Sequence, residues 1–223
     1  MKIGISEIFL SLQGEGKYIG TPHVFVRLAG CHIQCRWCDT DFSLKETLSR
    51  EELLERIRGL YHPGCWISFT GGEPLLQADE LSFFLPGVKE KKWPVYLETN
   101  GILAGPLKKV IDSVDVVAMD IKLPGSTGQG PFWKEHEEFL RAASAKDVFV
   151  KTVITAETSD DEFRKAVELI ARRSTEITLC LQPEHSGLFK GALEKCRTLQ
   201  RLAALSLKDV RVIPQVHKLM LIP

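Results

Sequence analysis

The chain has 223 residues, of which 44% are hydrophobic and 26% charged, with 29 Lys and Arg balanced by 29 Asp and Glu. This composition excludes a disordered chain and suits one domain, 1–223, with a real core. Zero net charge excludes the broad basic field that drives nucleic-acid binding, and no apolar run approaches the ~18 residues of a membrane span. The first residues lack a signal-peptide layout, because Ser6 and Glu7 interrupt the apolar run. In chain order, strand-like runs fall at 3–10 and 23–29, followed by a cysteine-rich loop. A helix is predicted over 49–60, where Ser49 and Glu52 form a capping box and Leu53, Leu54, Ile57 and Leu60 share a face. Next come a strand at 65–70, a short helix at 79–85 stopped by Pro86 and Gly87, and strands at 95–98 and 114–121. The glycine-rich segment 124–130, PGSTGQG, reads either as a mobile loop or as a long turn. Helices at 132–145, 160–173 and 188–205 then alternate with strands at 148–154, 177–181 and 210–213. This alternation predicts parallel strands with crossover helices. A closed eight-unit barrel needs about 250 residues, whereas this chain has room for about six units of ~30 residues, so an open, partial α/β barrel is expected.

The six cysteines are unevenly spread. Cys65, Cys180 and Cys196 lie singly in apolar or helical stretches and read as small buried hydrophobes. Cys31, Cys35 and Cys38 form a C-x3-C-x2-C cluster in GCHIQCRWCDT. Three thiols on one short loop cannot all pack as core, and they suit a soft metal centre. No second cysteine or histidine pair completes a zinc site, so a closed one would have to recruit His32 or a distant cysteine. Without a secretion signal, the cysteine count argues for reduced thiols in the cytoplasm rather than disulfides.

Chemistry in parallel α/β folds gathers at the C-terminal ends of the strands. Those ends carry Arg27, Thr70-Gly71-Gly72-Glu73-Pro74, Glu98-Thr99-Asn100-Gly101 and Asp120-Ile121-Lys122. Singly, each reads as a turn or cap. Together with the cysteine loop on the same rim, they read as a shared site. Gly14, Gly16 and Gly20 fit no dinucleotide fingerprint, and Tyr18 after Lys17 excludes a phosphate loop.

The cysteine spacing followed by GGEP at a strand end resembles the radical S-adenosylmethionine (SAM) superfamily. Within it, the chain resembles the 7-carboxy-7-deazaguanine synthase family of the queuosine pathway. The motifs carrying the narrower likeness are EIFLSLQGEG at 7–16, GTPHVFVRLAGC at 20–31, WCDT at 37–40, TGGEP at 70–74, ETNG at 98–101 and PQVHK at 214–218.

This resemblance implies a partial parallel α/β barrel of the radical SAM type, usually a homodimer. It implies that Cys31, Cys35 and Cys38 hold a 4Fe-4S cluster whose open iron takes the SAM amino and carboxylate groups. Trp37, Cys38, Asp39, Gly72, Glu73, Asp120, Ile121, Lys122 and Gln182 match SAM-contacting positions. Thr40 matches a Mg2+ ligand. Leu12, Gln13, Gly14, Arg27, Thr70, His217 and the terminal Pro223 match substrate contacts. The implied reaction is that of a carbon–nitrogen lyase. A 5′-deoxyadenosyl radical takes hydrogen from C6 of 6-carboxy-5,6,7,8-tetrahydropterin, the ring contracts to 7-carboxy-7-deazaguanine, and ammonia leaves. The implied electron donor is a flavodoxin or ferredoxin. Two rivals share part of the pattern: a glycyl-radical activase, which needs neither QGEG nor Arg27, and a zinc-binding interaction module using His32.

Overall fold

A computed structural model describes residues 1–223, the side chain of Phe189 excepted. Nine strands form one open sheet in the order β3-β1-β2-β4-β5-β6-β7-β8-β9. They are β1 (Ile3–Leu12), β2 (Pro22–Leu28), β3 (Glu46–Leu48), β4 (Trp66–Gly71), β5 (Val95–Thr99), β6 (Val116–Asp120), β7 (Asp147–Ile154), β8 (Leu179–Pro183) and β9 (Val210–Val212). From β2 to β9 every pairing is parallel. The crossovers carry α1 (Arg50–Leu60), α2 (Ala78–Glu90), α3 (Ala104–Val110), α4 (Pro124–Thr127), α5 (Trp133–Ala143), α6 (Asp160–Arg173) and α7 (Leu193–Ala203), and α8 (Val216–Met220) ends the chain. About six strand–helix units result, as the length predicts. Among the described residues, no helix is long and apolar enough to cross a membrane.

The first strands depart from the parallel expectation: β1 pairs antiparallel with β2 and with the short edge strand β3. The connection from Leu12 to Pro22 is too short for the dozen-residue crossover that a parallel pair needs. The helix expected to stop at Pro86 instead runs through Pro86 and Gly87 to Glu90. Gly87 packs where a Cβ would stand 2.7 Å from Arg50 Nε and 3.0 Å from Leu54 Cδ1, so close contact with α1 holds α2 together beyond its proline. The helix expected over 188–205 is shorter, because Gly191 at φ 103° interrupts the chain before α7. The Ser49 capping box forms as predicted.

Strand alternation sets both faces of the curved sheet. Val24, Val26, Ile67, Phe69, Val95, Leu97, Val117, Met119, Val148, Val150, Leu179 and Leu181 join the core shared with the helices. The intervening Tyr96, Val116, Ala118, Phe149 and Cys180 form a second, concave-side cluster with Tyr18 and Trp66. Tyr18 lies edge-on to Trp66 and Tyr96, with centroids 5.2 and 5.6 Å away. These rings fill the barrel floor. Toward the C-terminal end of each strand, two residues beyond Phe25, Ser68, Tyr96, Ala118, Phe149 and Cys180, the same face turns to Arg27, Thr70, Glu98, Asp120, Lys151 and Gln182.

Candidate active site

Above the aromatic floor lies a cavity of about 490 Å³. The polar ends of six strands line it, together with the cysteine loop and the last residues of the chain. Of the residues singled out from sequence, Leu12, Gln13, Gly14, Arg27, Cys31, Cys35, Trp37, Cys38, Asp39, Thr40, Thr70, Gly72, Asp120, Lys122, Gln182, His217 and Pro223 all border it. Glu73 and Ile121 do not. Ile121 is buried in the helix-side core, as its strand parity dictates. Glu73 is fully buried and accepts from Leu75 N, Thr99 Oγ1 and Asn100 N at 3.0, 2.8 and 2.8 Å. Burial pushes its pKa up to about 7 against those bonds. In this structure its carboxylate ties the GGEP turn to the ETNG turn, instead of facing the cavity.

Glu73→Gln therefore sets an amide N–H against a backbone donor. The expected loss is about 2–3 kcal/mol of stability, read as a lower thermal midpoint, without displacement of the cysteine loop.

The site's charges are largely paired. Lys122 donates to Asp120 Oδ2 at 2.8 Å and stands 4.7 Å from the centre of the Trp37 ring. Burial works against its ammonium, but Asp120 and Cys35 together outweigh burial and raise its pKa. Lys151 and Glu15 form a buried ion pair, with Gln215 Nε2 donating to Glu15 Oε1 at 2.8 Å. Burial opposes ionisation of Glu15, yet the Lys151 ammonium holds its carboxyl well below the ordinary range. Asp39 pairs with Lys218 of α8. Glu98 has only neutral partners, accepting from Gln13 Nε2 at 2.8 Å and Thr70 Oγ1 at 3.1 Å. Arg27 lies over Phe9, 5.5 Å from the ring centre, with Glu7 Oε2 a loose 3.4 Å away.

Sequence reasoning missed Glu15, Lys151 and Gln215, and it noted Glu98 only as part of a turn. The available signal was parity. Glu98 lies two residues beyond the buried Tyr96 in β5, and Lys151 two beyond the buried Phe149 in β7, so both had to share the concave side with those rings.

Two observations show that these residues fit a bound group. Arg27 Nε, Trp37 Nε1, Asp120 Oδ1 and Gln182 Oε1 are buried, border the cavity and have no hydrogen-bond partner. Such orphans cost about 1–3 kcal/mol each unless a ligand satisfies them. At Gly72 a Cβ would stand 2.1 Å from Gly30 O and 2.8 Å from the Cys31 Cβ, so only glycine brings the turn against the cysteine loop. All six cysteines are free thiols. Cys65, Cys180 and Cys196 are buried, as expected of packing residues. Burial raises the pKa of Cys31, and that of Cys35 to about 11, which favours the neutral thiols in this structure. His32 is exposed and does not border the cavity, and Cys65, Cys180 and Cys196 are buried away from the cysteine loop.

Comparison with known proteins decides the family. Residues 26–170 match the radical SAM superfamily. The 7-carboxy-7-deazaguanine synthase of Geobacter sulfurreducens is 39% identical, over 97% of this chain and 96% of that protein. The synthase of Archaeoglobus fulgidus is 34% identical over 98% of each. The chain belongs to the 7-carboxy-7-deazaguanine synthase family. It is thus a radical SAM lyase, and membership brings a 4Fe-4S cluster and SAM as cofactors and an electron donor for the cluster. Among solved structures, the QueE of Escherichia coli shares the fold with a TM-score of 0.65 at 21% identity, covering 96% of this chain and 94% of its own. TYW1 with a lysine-pyruvate adduct bound gives a TM-score of 0.60 at 14% identity, over 83% and 74% of the two chains. Both likenesses confirm the open radical SAM barrel.

Proposed function

We propose that residues 1–223 act as one domain that converts 6-carboxy-5,6,7,8-tetrahydropterin to 7-carboxy-7-deazaguanine and ammonia, using the cavity described above. The observation carrying this reading is the convergence, in one cavity of a chain that spans 96% of the Geobacter sulfurreducens synthase, of the cysteine loop on one wall with Arg27, Gln13 and Thr70 on another. When bound, the cluster and SAM supply hydrogen-atom transfer by a one-electron route. Everything else falls to the chain. Cys31, Cys35 and Cys38 hold the cluster. Trp37, Asp39, Gly72, Asp120, Lys122 and Gln182 surround SAM, with the orphaned Trp37 Nε1, Asp120 Oδ1 and Gln182 Oε1 as its ready polar partners.

Arg27 binds the pterin carboxylate through its planar fork. Gln13, Gly14 and Thr70 hold the pterin ring, and Leu12 packs against it. His217 and Pro223 close that end: Ser11 Oγ donates to Pro223 O at 2.9 Å, and a Cβ at Gly14 would strike the His217 ring. The Thr40 hydroxyl is a hard oxygen ligand suited to Mg2+. Phe9, Phe25, Trp37 and Phe42 supply apolar surface beside these polar groups. A homodimer, a flavodoxin- or ferredoxin-type electron donor and a cytoplasmic location complete this reading on the strength of the family resemblance.

The test is an anaerobic assay of cluster-reconstituted protein with SAM, Mg2+, reductant and 6-carboxytetrahydropterin, followed by mass spectrometry. Deazaguanine product formed without matching consumption of SAM is the expected result. 5′-Deoxyadenosine without that product would reject the substrate, and neither compound from fully loaded protein would reject the lyase reading. Arg27→Ala is expected to raise KM for the pterin roughly 10- to 100-fold while cluster content stays unchanged. An unchanged KM would remove Arg27 from the substrate site.

A further inference from the structure

The glycine-rich segment after β6, ambiguous in the sequence, is a tied-down turn. α4 ends at Gly128, whose φ is 73°. At its base, Leu123 O accepts from Thr127 N at 3.0 Å and from Thr127 Oγ1 at 2.8 Å. Gly125 N donates to Glu162 Oε2 of α6 at 2.8 Å, and Ser126 and Thr127 are buried. The far end of the turn meets the cysteine loop. Arg36 N donates to Thr127 O at 3.0 Å, and Gln129 Nε2 donates to Gln34 O at 2.6 Å. Those two groups belong to the peptide units on either side of Cys35. A Cβ at Gly128 would stand 2.5 Å from Arg36 Nε, so glycine at a left-handed φ lets the turn come this close.

We propose that the 124–130 turn is a clamp: by holding both peptide units that flank Cys35, it sets how firmly the cluster is retained and at what potential. Ligands presented on a short loop must be ordered before they can bind, and a clamp that orders Cys35 beforehand removes part of that entropy cost. Groups one bond behind a metal ligand typically change metal affinity 10- to 100-fold. The clamp also spends the Arg36 N–H on Thr127 O, and hydrogen bonds near cluster sulfurs are a main determinant of reduction potential. Because the turn continues directly from Asp120–Lys122, it couples the cysteine loop to the segment assigned to SAM. Gln129 and Thr127 are thus positioning residues.

The inference rests on the reading of Cys35 as a cluster ligand, so the experiment includes Cys35→Ala beside Gln129→Ala and Gln129→Glu. Each protein is reconstituted anaerobically. Cluster loss to an iron chelator is followed by visible absorbance, the cluster potential by redox titration, and the thermal midpoint of the metal-free protein in parallel. Gln129→Ala is expected to lose its cluster roughly tenfold faster with a displaced potential, while the metal-free midpoint is unchanged. Gln129→Glu, which cannot donate to Gln34 O, is expected to lose it at least as fast. Wild-type release and potential in both Gln129 variants would overturn the clamp while leaving the ligand assignment intact. Faster release accompanied by an equal fall in the metal-free midpoint would also overturn it, as a general folding defect. A full cluster in Cys35→Ala would instead overturn the ligand assignment.

Discussion

Cys35→Ala protein, reconstituted anaerobically and purified, is expected to carry substoichiometric iron and to show no detectable SAM cleavage or deazaguanine formation. The expected loss exceeds about 1,000-fold, since even outer partners of metal ligands are worth 10- to 100-fold. The fold itself should survive. Cys35 is half-buried on a loop at the cavity edge, and its side chain contributes nothing to either core cluster. A far-ultraviolet circular dichroism spectrum like that of the parent, together with lost iron, is the result to look for. Iron content and turnover near those of the parent would refute the three-cysteine assignment.

The largest effect on stability is expected from Lys151→Met. Lys151 and Glu15 are both largely buried, with side-chain exposures of 13% and 16%. Removing the ammonium strands a buried carboxylate, which costs about 3–5 kcal/mol. In a chain of this length that lowers the thermal midpoint by roughly 6–20 °C. The pH dependence has a definite sign. In the parent, Glu15 titrates below its ordinary 4.5, so the pair's contribution is complete above that value and fades as pH falls below it. In the variant, burial without Lys151 raises the Glu15 pKa, and protonation relieves the stranded charge. The stability gap should therefore be widest at neutral pH and close as the solution is acidified. A gap that is independent of pH would show that Lys151 acts through packing alone. Glu15→Gln combined with Lys151→Met should be less damaging than Lys151→Met, because no charge is then left unpaired.

Much of this molecule was legible before its structure. The Ser49–Glu52 capping box starts α1 where expected, because a cap is a contact between residues three apart. The clustering of Cys31, Cys35 and Cys38 is visible from spacing alone, and the GGEP and ETNG turns mark strand ends that border the same cavity. Stop signals were less reliable. Pro86 and Gly87 do not end α2, because packing on α1 outweighs the lost backbone bond. Glu73 looked like a ligand-facing carboxylate, yet its direction is set by donors from Thr99 and Asn100 on the neighbouring turn.

While the short β3, α3 and α8 went unread, the sequence by itself determined eight of the nine strands, the partial barrel, the cysteine loop and the family resemblance. All of these depend on local periodicity, chain length and short motifs. The tertiary structure alone decided that Glu15 meets Lys151, that Gln215 and His217 return to the 13–15 loop, and that Ser11 receives the end of the chain at Pro223. It also decided that the 124–130 turn holds both sides of Cys35. These partners are far apart along the chain. No local propensity encodes such a contact, because it exists only once seven parallel strands have curved far enough to bring their ends, the first loop and the last helix around one cavity.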